Sequence, residues 1–177
     1  MPAESEEIIL TDFGGVFYLV NLGIYLGLYA DFTSPMAPGL ALDIYDFVAL
    51  VAERLGGEQV HDDPVWPLLA RLAGRGEDEP PGAGFVPTDD LSLDAWLVPL
   101  LATVRERLHR ALGTSDEDPH ELRRLLLAQR ARVLVTATRL DVYFALDEHP
   151  VQIRLSGLDR DPGWVPAAGR IVAFHYE

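Results

Sequence analysis

The residues best suited to chemistry in this sequence are five scattered histidines and two short acidic runs. One histidine opens a run of three possible metal ligands, His61-Asp62-Asp63. Adjacent residues rarely converge on one metal ion, and Asp63 precedes Pro64, where a carboxylate serves as a helix cap. We therefore predict a helix start at this run, and no metal site.

The second acidic run, Asp159-Arg160-Asp161-Pro162-Gly163, resembles the beginning of a calcium-binding loop. It lacks a third oxygen ligand and the closing bidentate Glu, and Pro162 is foreign to such loops. We predict a turn in which the carboxylates cap backbone N–H groups or pair with arginines.

Several kinds of catalysis are excluded by composition. The chain has no Cys and no Lys, so thiolate chemistry, Schiff-base chemistry and a phosphate-binding P-loop are impossible. No G-x-S-x-G motif occurs, and Asp141 is predicted to be a solvent-side residue of a strand rather than an acid–base catalyst. We predict no catalytic residue and no cofactor. All 14 basic residues are Arg, a usage typical of GC-rich bacterial genomes.

Six residues are candidates for contacts with a partner. Arg160 and Trp164 are close enough in sequence to form a cation–π pair, and a partner-binding anchor has the same composition. The other four share one side of a predicted helix, where tyrosines serve either the core or a partner subunit. These four residues are Tyr18, Asn21, Tyr25 and Tyr29.

That helix is predicted from the apolar run 13–30, whose length approaches a membrane span. Acidic flanks and four glycines favour a buried helix instead, and membrane insertion is the weaker alternative. Further helices are predicted over 43–55, 63–74, 93–112 and 118–129, with a flexible loop over 75–88. Residues 8–10 are compatible with a short strand.

After residue 130 the apolar period changes from helical to two. Strands are predicted over 131–137, 140–146, 151–155 and 171–176, with an irregular connection over 157–169. We predict a single α+β domain over 1–177, in which about five helices, within 8–130, pack on an antiparallel sheet of about four strands, within 131–177.

Two stretches carry a resemblance: TDFGGVFYLVNLGIYLGLYADFTSP, from Thr11 to Pro35, and GLDRDPGWVPAAGRIVAFHYE, from Gly157 to Glu177. They resemble segments of large bacterial proteins associated with gene clusters for contractile injection systems. Asn21 and the Gly14-Gly15 pair also give a faint similarity to the tape-measure family, although this chain is much shorter than a ruler protein. The resemblance implies an accessory or assembly role in the bacterial cytoplasm and transfers no catalytic residue.

The charge of −14 argues against nucleic-acid binding. Residues 1–90 carry 16 acids and 3 Arg, a net −13, whereas the rest is nearly neutral, so the exclusion is weaker there. We expect a non-enzymatic structural or interaction module with a protein partner or a homo-oligomeric state. The alternative is an enzyme or small-ligand-binding domain with a site near residues 159–164.

Overall fold

The computed structural model describes residues 5–85 and 91–177 and shows a mixed α+β architecture, as predicted. The helices are α1 (Tyr18–Tyr25), α2 (Ile44–Gly56), α3 (Val65–Leu72), α4 (Leu93–Leu112) and α5 (Val151–Ser156). The strands are β1 (Glu7–Thr11), β2 (Ala131–Val135), β3 (Arg139–Phe144), β4 (Gly163–Val165) and β5 (Arg170–Tyr176).

All five strands form one mostly antiparallel sheet in the order β1-β2-β3-β5-β4. The β3–β5 pair is parallel, and the other neighbours are antiparallel. The predicted four-stranded antiparallel sheet is thus corrected to five strands with one parallel pair. The added edge strand β1 comes from the other end of the chain, and the possible strand at residues 8–10 is confirmed as its centre.

The strand predicted over 151–155 is wrong, because this segment forms helix α5. Val151 and Leu155 are exposed and only Ile153 is buried, so the alternation of apolar residues did not mark a buried face. Gly157, at φ 77°, ends the helix in the left-handed conformation. The parallel pairing of β3 and β5 requires a crossover connection, and α5 lies within it.

The connection over 157–169 was predicted to hold no regular element, which is also corrected. Its residues Gly163–Val165 form β4, and Pro166–Ala168 form a 3-10 turn. A three-residue strand is too short to show an alternation of apolar side chains. Gly163, at φ 72°, has no side chain and is not typical of a strand interior.

The apolar run 13–30 is only partly helical. It begins with a 3-10 turn, Gly14–Phe17, continues as α1, and ends in a turn at Gly27, where φ is 72°. Tyr29 then forms an isolated β-bridge with Met36. Within the described residues, no helix has the length and apolar character needed to cross a membrane.

Three of the other predicted helices are confirmed, and a side chain caps the start of each. Asp43 accepts the N–H of Tyr45 at the start of α2, and Ser92 accepts the N–H of Ala95 at the start of α4. In α3, Asp63 accepts the N–H of Val65, as predicted. The predicted apolar stripes of α2 and α4 match their buried faces, whereas α3 buries Val65, Leu68 and Leu69 and leaves Trp66 and Leu72 half-buried.

The helix predicted over 118–129 is confirmed only in part, over 121–127, and most of that part is π-helical. Asp118 caps the N–H of His120 as expected, but the chain then forms a π-helical segment, Arg123–Leu127. This segment buries Leu126 and Leu127 against the rest of the core. Close contact with Gly15, whose missing side chain leaves room for the Leu126 carbonyl, accounts for the irregular backbone.

Part of the predicted flexible loop 75–88 is attached to α2. The Arg75 Nε donates to Asp46 Oδ1 over 2.7 Å, and the N–H of Gly82 donates to Asp46 Oδ2 over 3.1 Å. Pro81 and Gly82 are buried. Residues 86–88 of that prediction lie outside the described residues.

The core lies between the helices and one face of the sheet. Tyr18, at the start of α1, stacks on Phe144 of β3 at a ring distance of 5.0 Å and meets Phe174 of β5 edge-on at the same distance. Val142 and Val172 are completely buried on this face. One face of the sheet is therefore covered by the helices.

Candidate functional site

The other face of the sheet, called the open face below, is defined by the strand register. Leu10 lies opposite Arg132, Arg132 opposite Tyr143, and Tyr143 opposite His175. A second row crosses the same face one pleat away. That row contains Ile8, Leu134, Asp141 and Ala173.

Polar side chains on the open face contact one another rather than a helix. The Arg132 guanidinium lies 4.1 Å from the Tyr143 ring centre, and Tyr143 stacks on His175 at 4.4 Å. The His175 Nε2 and the Asp141 Oδ1 are 2.8 Å apart. Arg139 completes the set by donating to both Asp141 oxygens over 3.0 and 2.9 Å. We call these five residues the polar ladder.

Asp141 is buried, which corrects its prediction as a solvent-side residue. It does point away from the core, but Arg139 and His175 cover it. Hydrogen bonds from these two side chains hold the pKa of Asp141 below its usual range, although partial burial opposes the shift. The same ion pair raises the pKa of Arg139. This arrangement stabilises a carboxylate, whereas an acid catalyst needs its pKa raised.

An aromatic corner, Phe32 and Trp164, lies at the β4 edge of the open face. Trp164 is opposite Ile171 in the register and stacks on Phe32, with the ring planes 11° apart. Phe32 is 75% exposed and Trp164 is 44% exposed, so the pair leaves apolar surface in water. Trp164 therefore pairs with Phe32 instead of the expected Arg160.

Three of the six predicted partner-binding residues are used inside the chain. Tyr18 and Tyr29 are fully buried, which raises the pKa of each phenol, and the Tyr29 hydroxyl donates to the Leu42 carbonyl over 2.9 Å. Asn21 donates from Nδ2 to the carbonyls of Leu158 and Arg160 over 2.8 and 2.7 Å. Asn21 thus holds the 157–161 turn against α1.

The other three candidates lie on the surface. Tyr25 is about half exposed, and its hydroxyl donates to the Gly157 carbonyl over 3.0 Å. Arg160 and Trp164 are exposed as well. The structure therefore does not gather the six residues into one site.

The acidic turn 159–163 has the contacts predicted for it. Asp159 Oδ2 accepts a hydrogen bond from the Arg154 Nε over 2.6 Å and lies 3.0 Å from the His149 Nε2. Asp161 Oδ1 accepts the N–H of Phe174 over 2.7 Å. A cavity of about 440 Å³ adjoins these groups, and its lining includes Arg160 and Tyr176.

At the other acidic run, Asp63 joins β1 to α3. Its carboxylate accepts hydrogen bonds from the N–H of Asp12 over 2.9 Å and from the Thr11 hydroxyl. The His61 Nε2 lies 3.0 Å from Glu53 Oε1 instead. Over 5–85 and 91–177, no group of three or more His, Asp or Glu residues has the arrangement of a metal site.

The polar ladder is the feature that sequence reasoning missed. Its residues are spread over three strands, and the polar residues of any one strand predict only an exposed face. The contacts of His175 with Tyr143 and Asp141 depend on the parallel β3–β5 register, which a predicted antiparallel meander does not contain. One signal was present: Arg139, Asp141 and Tyr143 alternate within a single strand.

Comparison of the chain with protein-family models, with curated proteins and with solved structures gives no match.

Proposed function

We propose that this protein is a non-enzymatic structural or interaction module that binds a protein partner through the open face of its sheet. The observation that carries the proposal is this face itself. It has the exposed aromatic corner at one edge, Ile8 and Leu10 exposed at the other, and the polar ladder between them. Apolar and aromatic groups around Arg and Tyr are the composition of protein interfaces.

The setting we propose is a bacterial multiprotein machine, such as a contractile injection system, in which the protein is a cytoplasmic accessory or assembly component. The resemblance of segments 11–35 and 157–177 supports this setting. Asn21 connects the two segments, because its side chain donates to the carbonyls of Leu158 and Arg160. The partner is another protein of that machine or a second copy of the chain.

Affinity purification with crosslinking from the native lysate tests the proposal. Trp164→Ala removes the larger ring of the aromatic corner, and we expect it to reduce partner recovery about tenfold, since buried aromatic anchors dominate interface energy. Leu155→Ala is the matched control, because Leu155 is 80% exposed on α5 rather than on the sheet. A strictly monomeric protein that crosslinks to nothing contradicts the proposal.

A second candidate function, small-ligand binding or catalysis near residues 159–164, is favoured by the cavity beside Arg160. Arg160 lines this cavity and can contact an anionic ligand there, whereas the Tyr176 hydroxyl donates to the Asp159 carbonyl. Asp159 and Asp161 are engaged by His149, Arg154 and a backbone N–H. Thermal-shift screening with small carboxylates and phosphates tests this candidate: stabilisation that Arg160→Ala abolishes supports it, and no response contradicts it.

A further inference from the structure

The outer edge of β1 is a free strand edge in the part of the chain that the structure describes. β1 is the first strand of the sheet order, so only its β2 side is paired. Ile8 is 56% exposed and Leu10 is 71% exposed. Long exposed edges of this kind are templates for another strand, and proteins usually protect them.

The hydrogen-bonding direction of each β1 residue follows from the register. The N–H of Thr136 donates to the Arg139 carbonyl, so even-numbered residues of β2 direct their backbone groups toward β3. Odd-numbered residues of β2 therefore face β1, where they pair with Glu7, Ile9 and Thr11. The backbone N–H and C=O groups of Ile8 and Leu10 point away from the sheet, available to another strand.

The side chains beside these groups form an alternating stripe. Glu6, Ile8, Leu10 and Asp12 are all exposed and occupy every second position, so the stripe has two apolar residues between two acids. The Asp12 N–H is used by Asp63, which ends the free edge there. A complementary strand has two apolar residues between two bases, in the same alternation.

The charges of the stripe favour a basic strand of another protein over a second copy of this chain. Antiparallel pairing of two β1 strands about Ile9 places Glu6 of one copy opposite Asp12 of the other. Like charges directly opposite in a sheet are destabilising, and each copy also carries a charge of −14. A basic segment meets no such repulsion, and it is attracted by the net −13 of residues 1–90.

We propose that the β1 edge docks an extended segment of a partner protein with the pattern basic-x-apolar-x-apolar-x-basic, which adds a sixth strand to the sheet. This inference rests on the proposed function and names the chemistry of the partner. Backbone hydrogen bonds supply affinity, and the alternate side chains supply specificity.

The probe is a capped synthetic peptide, Arg-Thr-Val-Thr-Val-Thr-Arg, titrated against the full chain by fluorescence anisotropy. We expect saturable binding that weakens about tenfold when both Arg residues are replaced by Glu. Raising NaCl from about 20 to about 300 mM weakens the Arg peptide, because the flanking charges are exposed and screened. Equal binding of the Arg and Glu peptides overturns the proposal.

Backbone pairing is tested by Leu10→Pro, which removes the Leu10 side chain together with an N–H that points away from the sheet. Proline is tolerated at such edge positions, and the urea midpoint verifies that the fold is retained. We expect peptide affinity to fall about tenfold, and to fall less in Leu10→Ala, which keeps the N–H. Leu155→Ala is the control on α5. A folded Leu10→Pro protein that binds the peptide as well as the wild type overturns the proposal.

If Leu10→Pro destabilises the chain, the same question is tested on the wild-type protein with a peptide whose Val residues are N-methylated. Binding of this peptide as tight as that of the unmethylated peptide overturns the proposal. A dimer dispersed by Leu10→Pro also overturns it, because the edge then serves a second copy. In native lysate, a partner lost from Trp164→Ala but kept by Leu10→Pro rejects the edge inference and leaves the proposed function standing. A lysate without any partner rejects the proposed function, and the peptide titration still decides the edge.

Discussion

At the scale of single residues, the buried carboxylates of this protein hold parts of the chain together. Asp63 connects β1 to α3, and Asp46 connects the 75–85 segment to α2. Asp159 connects the acidic turn 159–163 to α5 through Arg154. Each accepts several hydrogen bonds, which compensates the cost of removing its charge from water. The acidic residues are therefore not only a solubilising surface.

Asp141 provides a pH-dependent test of this role. Asp141→Asn replaces a buried, hydrogen-bonded carboxylate with an amide of equal size, and we expect it to reduce the free energy of unfolding by about 2 kcal/mol at neutral pH. Because the folded-state pKa of Asp141 lies below that of the unfolded chain, its contribution is complete above about pH 4 and is lost as the pH falls through the lowered pKa.

Urea unfolding of the wild type and of Asp141→Asn between about pH 7 and pH 2.5 measures this contribution. The stability difference between the two proteins should shrink below about pH 4. Asp147→Asn, at an exposed position in the turn after β3, is the control and should show no such gap. A difference that is constant over the whole pH range contradicts the assignment.

At the scale of elements, a close backbone approach joins the 3-10 turn to the π-helical segment. A Cβ on Gly15 would lie 1.7 Å from the Leu126 carbonyl oxygen, which belongs to backbone and cannot rotate away. We expect Gly15→Ala to cost about 3 kcal/mol of folding stability. Gly84→Ala is the matched control, since a Cβ there meets no atom within 4 Å. Equal urea midpoints for the two variants would refute this packing.

Prediction from sequence succeeded for elements whose local signals agree with one another. α2 and α4 each have a capping residue, an apolar stripe and a terminal glycine, and both helices lie where they were predicted. It failed where tertiary contact decides the conformation. The segment 123–127 has a good helix start before it, but packing on Gly15 distorts it, and α5 has an alternating pattern without a buried face.

At the scale of the whole molecule, the sequence favours one domain, and the sheet supplies a physical reason. β1 precedes all the helices, and its partner β2 follows α4. The pairing of these two strands therefore encloses the part of the chain that forms α1 to α4. The periods of the apolar residues predicted the α+β class, but they carry no information on which distant strands pair. The candidate site could not be predicted for the same reason, because the open face forms only when strands that are distant in the sequence pair with one another.

A single domain predicts one cooperative transition. In the variant with Trp66→Phe and Trp96→Phe, fluorescence reports only Trp164 in the sheet, whereas far-UV circular dichroism is dominated by the helices. We expect the two signals to give the same urea midpoint, because helices and sheet share one core. Midpoints separated by about 1 M or more would show that helices and sheet unfold as separate units.

The long-range pairing of β1 has a consequence during synthesis on the ribosome. Glu7 pairs with Val135, so the first strand is made long before its partner emerges. At about 5–20 residues per second, Ile8 and Leu10 wait for several seconds in a nascent chain with no sheet to join. The acids around them, Glu6, Glu7 and Asp12, then act as gatekeepers that discourage neighbouring nascent chains from pairing first.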